Sequence, residues 1–121
     1  MLFYLLIIFN SVLKLVSSHM LLYNVTVIIN ETIEDDWLAW VKNEHIPAVM
    51  SAGSFISQRL LKVLNSPNEG VTYCLQYIAD SQNTINNYSS AYEQEHLAQH
   101  YQNFGQDVAL FNTLMEFIDY K

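Results

Sequence analysis

The sequence FISQRLLKVLNSPNEGVTYCLQYIA occupies residues 55–79 and contains two apolar segments separated by a turn. Residues 55–64 and 71–79 are rich in aliphatic and aromatic residues, a pattern that indicates strands. The intervening S-P-N-E-G at residues 66–70 combines proline, asparagine and glycine, a composition typical of a turn. Because this connection is short, the two strands are predicted to form an antiparallel hairpin.

A strand and a helix are predicted on each side of the hairpin. Residues 21–30 (L-L-Y-N-V-T-V-I-I-N) alternate as a strand does, and residues 108–118 (V-A-L-F-N-T-L-M-E-F-I) are predicted to form the last strand. Both intervening segments carry apolar residues at helical spacing. The stripes are Trp37, Leu38, Val41, His45 and Val49 in the first helix and Ile85, Tyr88, Tyr92, His96 and Gln99 in the second.

Capping and breaking residues predict where the helices begin and end. Thr32 is expected to cap the first helix, and Asp80 or Ser81 the second. Pro47 removes a backbone donor and disfavours helical angles at the residue before it, so the first helix should kink or restart there. Gly53 is expected to end it.

The resulting order, βαββαβ, predicts an α+β fold of the ferredoxin-like kind. Such a chain forms a four-stranded antiparallel sheet with both helices on one face. The other face would carry residues such as Thr72, Cys74, Gln76 and Ile78, or their neighbours if the register differs by one, and is expected to be half-apolar. We therefore expect this face to pack against a second copy of the chain as a homodimer.

Length, charge and cysteine content narrow the classes of partner. The 121 residues suffice for one domain, predicted to span 20–121, and 51% of them are hydrophobic. The net charge of −7 disfavours nucleic acids and anionic membrane surfaces. A single cysteine, Cys74, forms no internal disulfide, so a cytoplasmic location is expected.

Residues 1–19 are predicted to be an extension of the domain. The apolar run is interrupted by Asn10, Ser11 and Lys14 and is too short to span a bilayer well. Met20 leads directly into the first strand, which favours Met20 as the true start of the protein and residues 1–19 as a non-native addition. The alternative is a leader that exports or anchors the protein, although the positively charged start of a signal peptide is missing.

Several short motifs resemble those of a known family. They are Y-N-V-T at residues 23–26, W-L-x-W at 37–40, E-H-I-P at 44–47 and G-V-T-Y-x-x-Q-Y at 70–77. In this order they are similar to a family of short bacterial proteins, common in Bacteroidetes and known as domain of unknown function family 4286. The resemblance implies a dimeric α/β-barrel type of fold. Proteins of that fold include cofactor-independent monooxygenases, haem-degrading and dismutase-like enzymes, and proteins without known catalysis.

The resemblance also has one departure. Members of the family carry F-R-T near the end of the last strand, where this sequence has Phe111-Asn112-Thr113. If the family's arginine binds an anion, the neutral Asn112 implies that this chain has lost that interaction.

Six residues are candidates for a ligand site between the helices and the sheet. His45 lies on the apolar stripe beside two tryptophans and is the best candidate for a catalytic base, although a structural histidine would fit the same position. The ligand-binding candidates are Trp37, Trp40, His45, Arg59, Tyr73 and Tyr77. The alternatives are core packing for the aromatic residues and a salt bridge to an acidic residue for Arg59.

Metal and nucleophile chemistry are not predicted. His96 and His100 have the i, i+4 spacing of a helical metal pair, but the H-E-x-x-H signature is absent, so a solvated helix face is expected. Cys74 lies in the middle of a strand, where an inert packed thiol is expected. We expect no metal and no cofactor.

Three functions remain open from the sequence. The first is a small-molecule binding module, and the second a cofactor-independent oxidoreductase or isomerase with His45 as its base. The third is a dimeric interaction domain without a ligand. A closed core around His45 would favour the third, and an open cavity the first two.

Overall fold

The computed structural model describes residues 20–120, which form four strands and two long helices. The expectations for residues 1–19 lie outside the described residues. The strands are β1 (Leu21–Ile29), β2 (Ser57–Lys62), β3 (Val71–Ala79) and β4 (Val108–Glu116). Helix α1 follows a 3₁₀ turn (Glu31–Ile33) and consists of Glu34–Trp40, a π-helical segment Val41–His45, and Ile46–Gly53. Helix α2 consists of Gln82–Tyr88, a π-helical segment Ser89–Glu93, and Gln94–Phe104.

The sheet has the order β2-β3-β1-β4, and every neighbouring pair is antiparallel. Both helices lie on one face, so the predicted ferredoxin-like α+β fold is confirmed. The hairpin prediction is also confirmed, although β2 is shorter than the expected 55–64. None of the helices within residues 20–120 has the length and hydrophobicity needed to cross a bilayer.

The helix starts differ in part from the expectation. Asn30, not Thr32, caps the first turn, because its Oδ1 accepts hydrogen bonds from the backbone N–H and the hydroxyl of Thr32 at 3.0 and 2.9 Å. At the second helix, the Ser81 hydroxyl oxygen accepts from the backbone N–H of Thr84 at 3.2 Å. Asp80 supports this cap by accepting the hydroxyl proton of Thr84 at 3.0 Å.

The first helix restarts beside Pro47, as expected, but Ile46 keeps helical angles where non-helical ones were expected. The π-helical segment directly before it bonds the N–H of Ile46 to the carbonyl of Val41, and Ile46 keeps helical angles. The α-helix therefore restarts at Ile46, where Pro47 occupies the first turn and needs no backbone donor. Gly53 is the last helical residue, as predicted, and Ser54 adopts the left-handed conformation beyond it.

Alternate residues of the strands point to the helices and build the core. Tyr23, Val25, Val27 and Ile29 of β1 are buried, and their partners on β3 belong to the same core. The opposite face of the sheet is polar at its centre, where Gln76 Nε2 donates to Asn24 Oδ1 at 3.2 Å. As expected, Thr72, Cys74, Gln76 and Ile78 lie on this reverse face.

Candidate functional site

Three histidines meet in the layer between the helices and the sheet. His45 lies at the end of the π-helical segment of α1, and His96 and His100 come from α2. The ring centroids of His45 and His100 are 4.6 Å apart, and those of His45 and His96 are 6.0 Å apart. The expectation of a solvated face for His96 and His100 is wrong, because the exposed fractions are 7% and 0%.

Two tryptophans of α1 enclose this histidine cluster. Trp37 is fully buried, and its Nε1 donates a hydrogen bond to Nδ1 of His100 at 3.2 Å. Trp37 also packs on Tyr73 of β3, with ring centroids 5.0 Å apart. Trp40 is half-buried and forms the outer wall, with its ring centroid 4.9 Å from those of His45 and His100.

A tyrosine cluster continues the layer beyond His96. Tyr88 of α2 has its hydroxyl 2.6 Å from Nδ1 of His96. The ring of Tyr88 packs edge-on against Tyr23, with centroids 5.8 Å apart, and Tyr77 lies next to Tyr23 at 6.1 Å. Histidine and tyrosine side chains thus form one continuous polar-aromatic cluster inside the domain.

Four polar atoms of this cluster are buried without a hydrogen-bond partner among the described residues. They are the hydroxyls of Tyr23 and Tyr77, Nδ1 of His45 and Nε2 of His100. Buried polar atoms are nearly always paired, and each exception costs about 1–3 kcal/mol. Their concentration in one layer of a small domain marks this layer as the candidate site.

Burial keeps the histidines neutral. Loss of solvation lowers the pKa of His45 to about 3, with further lowering by the neighbouring His100 and His96. Burial likewise lowers the pKa of His100 to about 4 and that of His96 below its usual value. The same cause raises the pKa of Tyr23, Tyr77 and Tyr88, so all of these groups are uncharged near neutral pH.

Glu93 and Asn112 approach the cluster at the tyrosine end. Burial is the main cause of the raised pKa of Tyr23, and the negative charge of Glu93 adds to it. Both side chains interact with the Tyr23 hydroxyl, although neither contact meets the geometry of a full hydrogen bond. Asn112 lies on the helix-facing side of β4, opposite Val25.

The structure brings most of the sequence candidates together. Trp37, Trp40, His45 and Tyr73 meet around the histidines, and Tyr77 lies in the tyrosine cluster.

Arg59 does not join them. It pairs with Gln76 of β3 and therefore projects from the reverse face, away from the helices. A surface depression of about 510 Å³ involves Arg59 and Lys42, outside the histidine cluster.

Sequence reasoning missed four members of the cluster as site residues: Tyr23, Tyr88, His96 and His100. A regular helical wheel places Tyr92 between Tyr88 and His96 on the apolar stripe, yet Tyr92 is 42% exposed. The π-helical segment of α2 inserts one residue into the repeat and shifts the buried positions. The signal present in the sequence was the i, i+4 histidine pair itself.

The cluster is closed in this structure, and a metal site is not formed. His45 is only 3% exposed and Trp37 is fully buried. Within residues 20–120, no three histidine, cysteine or acidic side chains are arranged to hold a metal ion. Cys74 lies on the reverse face, with its Sγ 3.9 Å from the Thr26 hydroxyl, and therefore takes no part in the histidine cluster.

Solved structures share this fold at low sequence identity. A Bacteroides thetaiotaomicron protein, described as of unknown function and a possible oxidoreductase, has a TM-score of 0.59 and 16% identity over 83% of this chain and 99% of its own. An EthD-like protein from Ralstonia eutropha has a TM-score of 0.61 and 13% identity over 86% of this chain and 96% of its own. A dimeric ferredoxin-like protein from an uncultured marine organism has a TM-score of 0.52 and 10% identity, over 84% and 97%. At sequence identities this low, the similarity shows a common fold alone.

No curated protein matches the sequence. The family model of a domain of unknown function, DUF4286, matches residues 20–118, which is most of the chain. This chain therefore belongs to the DUF4286 family.

Proposed function

We propose that this domain binds a small organic molecule in the layer between the helices and the sheet. The supporting observation is the set of four unpaired polar atoms on Tyr23, His45, Tyr77 and His100. Apolar side chains at these positions would avoid about 1–3 kcal/mol for each unpaired group. Assembly with other proteins alone would not require these unpaired groups. A bound ligand with hydrogen-bonding groups would pair them and so remove the free-energy cost.

The character of the walls indicates a flat ligand. Trp37, Trp40 and Tyr73 offer aromatic faces, and His45 and His100 offer ring nitrogens beside them. Binding sites for small molecules combine apolar walls with a few polar groups in this way. Because Trp40 is the half-buried outer wall, we propose that it moves aside when the ligand enters.

A catalytic role for His45 is the second candidate. The similar Bacteroides thetaiotaomicron protein is described as a possible oxidoreductase, and the ring of His45 lies beside those of both other histidines. A general base works best when its pKa lies near the operating pH, however, and burial lowers the pKa of His45 to about 3. This mismatch favours binding over proton abstraction by His45 in the closed state.

A dimeric interaction domain without a ligand is the third candidate, and the closed core around His45 favours it. We propose that dimerisation uses the reverse face in any case. Phe111 and Met115 of β4 are 56% and 40% exposed on this face, and Leu61 of β2 is 43% exposed. A similar solved structure is described as a dimeric ferredoxin-like protein. We also propose a cytoplasmic location, in keeping with the single thiol of Cys74.

A thermal-shift experiment with 1-naphthol tests the binding proposal. We expect the purified domain to unfold at a higher temperature with the probe, because a ligand that binds only the folded state stabilises it. His45→Phe should keep the fold and lose the shift, while the control Arg59→Gln, on the reverse face, should keep it. If a larger panel of flat alcohols and ketones stabilises neither the wild type nor Arg59→Gln, the interaction domain without a ligand is the better explanation.

Light scattering tests the dimer separately. We expect the mass of two chains for the wild type and the mass of one chain for Phe111→Glu, since a carboxylate would be buried in the contact. Leu64→Glu is the control, because Leu64 is exposed in the β2–β3 connection. A wild-type monomer at working concentration would contradict the dimer without affecting the ligand proposal.

A further inference from the structure

We infer that the hydrogen bond from Trp37 fixes His100 in the tautomer that donates from Nε2. We further infer that the ligand is an uncharged planar molecule whose carbonyl or hydroxyl oxygen accepts this hydrogen bond. The inference rests on the proposed binding function and specifies the class of ligand. It starts from a single hydrogen bond, between Nε1 of Trp37 and Nδ1 of His100 at 3.2 Å.

This hydrogen bond determines the tautomer of His100. An indole N–H only donates, so Nδ1 of His100 must present its lone pair to Trp37. A neutral imidazole carries its single proton on the other nitrogen. Nε2 of His100 is therefore an N–H donor, and it is buried without an acceptor among the described residues. A hydrogen-bond acceptor on the ligand is the group that completes it.

His45 supplies an adaptable second contact beside this donor. Its ring lies 4.6 Å from that of His100 at an interplanar angle of 67°, and its Nδ1 is also buried and unpaired. Since no hydrogen bond within residues 20–120 involves this nitrogen, either tautomer of His45 is accessible. A ketone can thus accept from both rings, and a hydroxyl can accept from His100 while donating to His45.

The charges around the cluster disfavour an ionic ligand beside His100. Three basic side chains occur within residues 20–120, and none reaches the histidines. Lys42 is exposed and Arg59 lies on the reverse face. Lys62 lies 5.8 Å from the centre of the Tyr73 ring, where Glu34 balances its charge at 3.6 Å. A buried anion without a cation is strongly disfavoured. A cation beside His100 would face an N–H donor, and the negative charge of Glu93 acts at the other, tyrosine end of the cluster. The unpaired nitrogens therefore suit a neutral oxygen.

Nitrogen NMR of the histidine rings tests the donor directly, without any ligand. In full-length protein labelled with ¹⁵N, Nδ1 of His100 should resonate as an unprotonated nitrogen and Nε2 as a protonated one. In Trp37→Phe the donor to Nδ1 is missing, so His100 should populate both tautomers. A wild-type His100 that carries its proton on Nδ1 would overturn the inference, whether or not any ligand binds.

Four probes of similar shape test the ligand class in the same protein: 1-tetralone, 1-naphthol, tetralin and 1-naphthoate. We expect 1-tetralone and 1-naphthol to bind at least tenfold more tightly than the hydrocarbon and the carboxylate. Trp37→Phe should reduce the advantage of 1-tetralone over tetralin, since its His100 no longer offers a fixed donor.

The outcomes separate the two proposals. If all four probes bind equally well, or 1-naphthoate binds best, the ligand class is wrong while the binding function stands. If none of them binds and no other planar alcohol or ketone does, the binding function fails, and the NMR result alone decides the state of His100. Should Trp37→Phe not fold, the wild-type NMR spectrum and the probe series still decide both points.

Discussion

The hydroxyl of Tyr88 and Nδ1 of His96 lie 2.6 Å apart, although the two residues are eight positions apart on one helix. In a regular α-helix, residues seven positions apart share a face, because each residue turns the chain by about 100°. The π-helical segment Ser89–Glu93 lies between the pair and adds one residue. It thereby brings His96 into line with Tyr88 and turns both toward the sheet.

Removal of this hydroxyl should destabilise the domain. Tyr88→Phe leaves Nδ1 of His96 buried without a partner, and we expect a loss of about 1–3 kcal/mol in the free energy of unfolding in urea. Tyr92→Phe is the matched control on the same helix, because Tyr92 is largely exposed, and a change within about 0.5 kcal/mol is expected. Equal losses in the two variants would show that the Tyr88–His96 contact contributes nothing.

Stability should fall as the pH drops below 6.5. The folded-state pKa is about 3 for His45 and about 4 for His100, so the unfolded chain binds more protons than the folded one between these values and 6.5. Folding is therefore penalised on acidification through that window and unaffected above it. From pH 7 to pH 5 we expect a loss of about 4 kcal/mol from the two histidines in urea unfolding.

A variant separates the histidines from other titrating groups. His45→Phe keeps an aromatic ring in the cluster but cannot bind a proton, so about half of this pH dependence should disappear. Stability that stays constant between pH 7 and pH 5 in the wild type would mean that the buried histidines are hydrated more than the structure indicates. An unchanged dependence in His45→Phe would assign the effect to other residues.

The fold could be predicted from the sequence because local patterns decide it. Alternation along residues 21–30 and 71–79 determines which side chains face the helices, and the S-P-N-E-G turn determines the hairpin. These patterns need no knowledge of distant contacts. The cap at Asn30 was missed because a 3₁₀ turn precedes the α-helix, which moves the start of the helix by two residues.

The candidate site was only partly predictable, for reasons of register and sheet face. Trp37, Trp40 and His45 lie on the first helix. The apolar stripe of that helix repeats every four residues, and this spacing already includes the extra residue of the π-helical segment. In the second helix the same insertion buries His96 and His100, which a uniform wheel cannot reveal. Arg59 was assigned to the site without its register, and pairing with Gln76 places it on the reverse face.

The hairpin turn should not tolerate a side chain at Gly70. Its φ of +86° is unfavourable for other residues, and an added Cβ would overlap the carbonyl oxygen of Ile29. We expect Gly70→Ala to lower the free energy of unfolding by about 1–3 kcal/mol, as strained positions do. Glu69→Ala, an exposed neighbour, should change it by no more than about 0.5 kcal/mol. Comparable thermal unfolding of the two variants would contradict the close approach of Gly70 to β1.

A single-residue deletion tests whether the π-helical segment of α2 sets the register of the cluster. Deletion of Ala91, an exposed residue within the segment, should convert it to α-helix and make the spacing of Tyr88 and His96 seven residues. Since residues seven apart share a face, both side chains should still point to the sheet. We expect this variant to fold, with a loss of no more than about 2 kcal/mol, a moderate cost for a single change.

Deletion of Ala98 is the matched comparison, because it removes the same residue type from the regular α-helical part of α2. It would rotate residues 99–104 by about 100° and carry His100 away from Trp37. Loss of that hydrogen bond and of the packing around it should cost more than about 3 kcal/mol and leave the domain largely unfolded. Circular dichroism during thermal unfolding distinguishes the two deletions. If the Ala91 deletion unfolds the domain as readily as the Ala98 deletion, the inserted residue is required in its own right, and the π-helical segment would have a role beyond setting the register of His96 and His100.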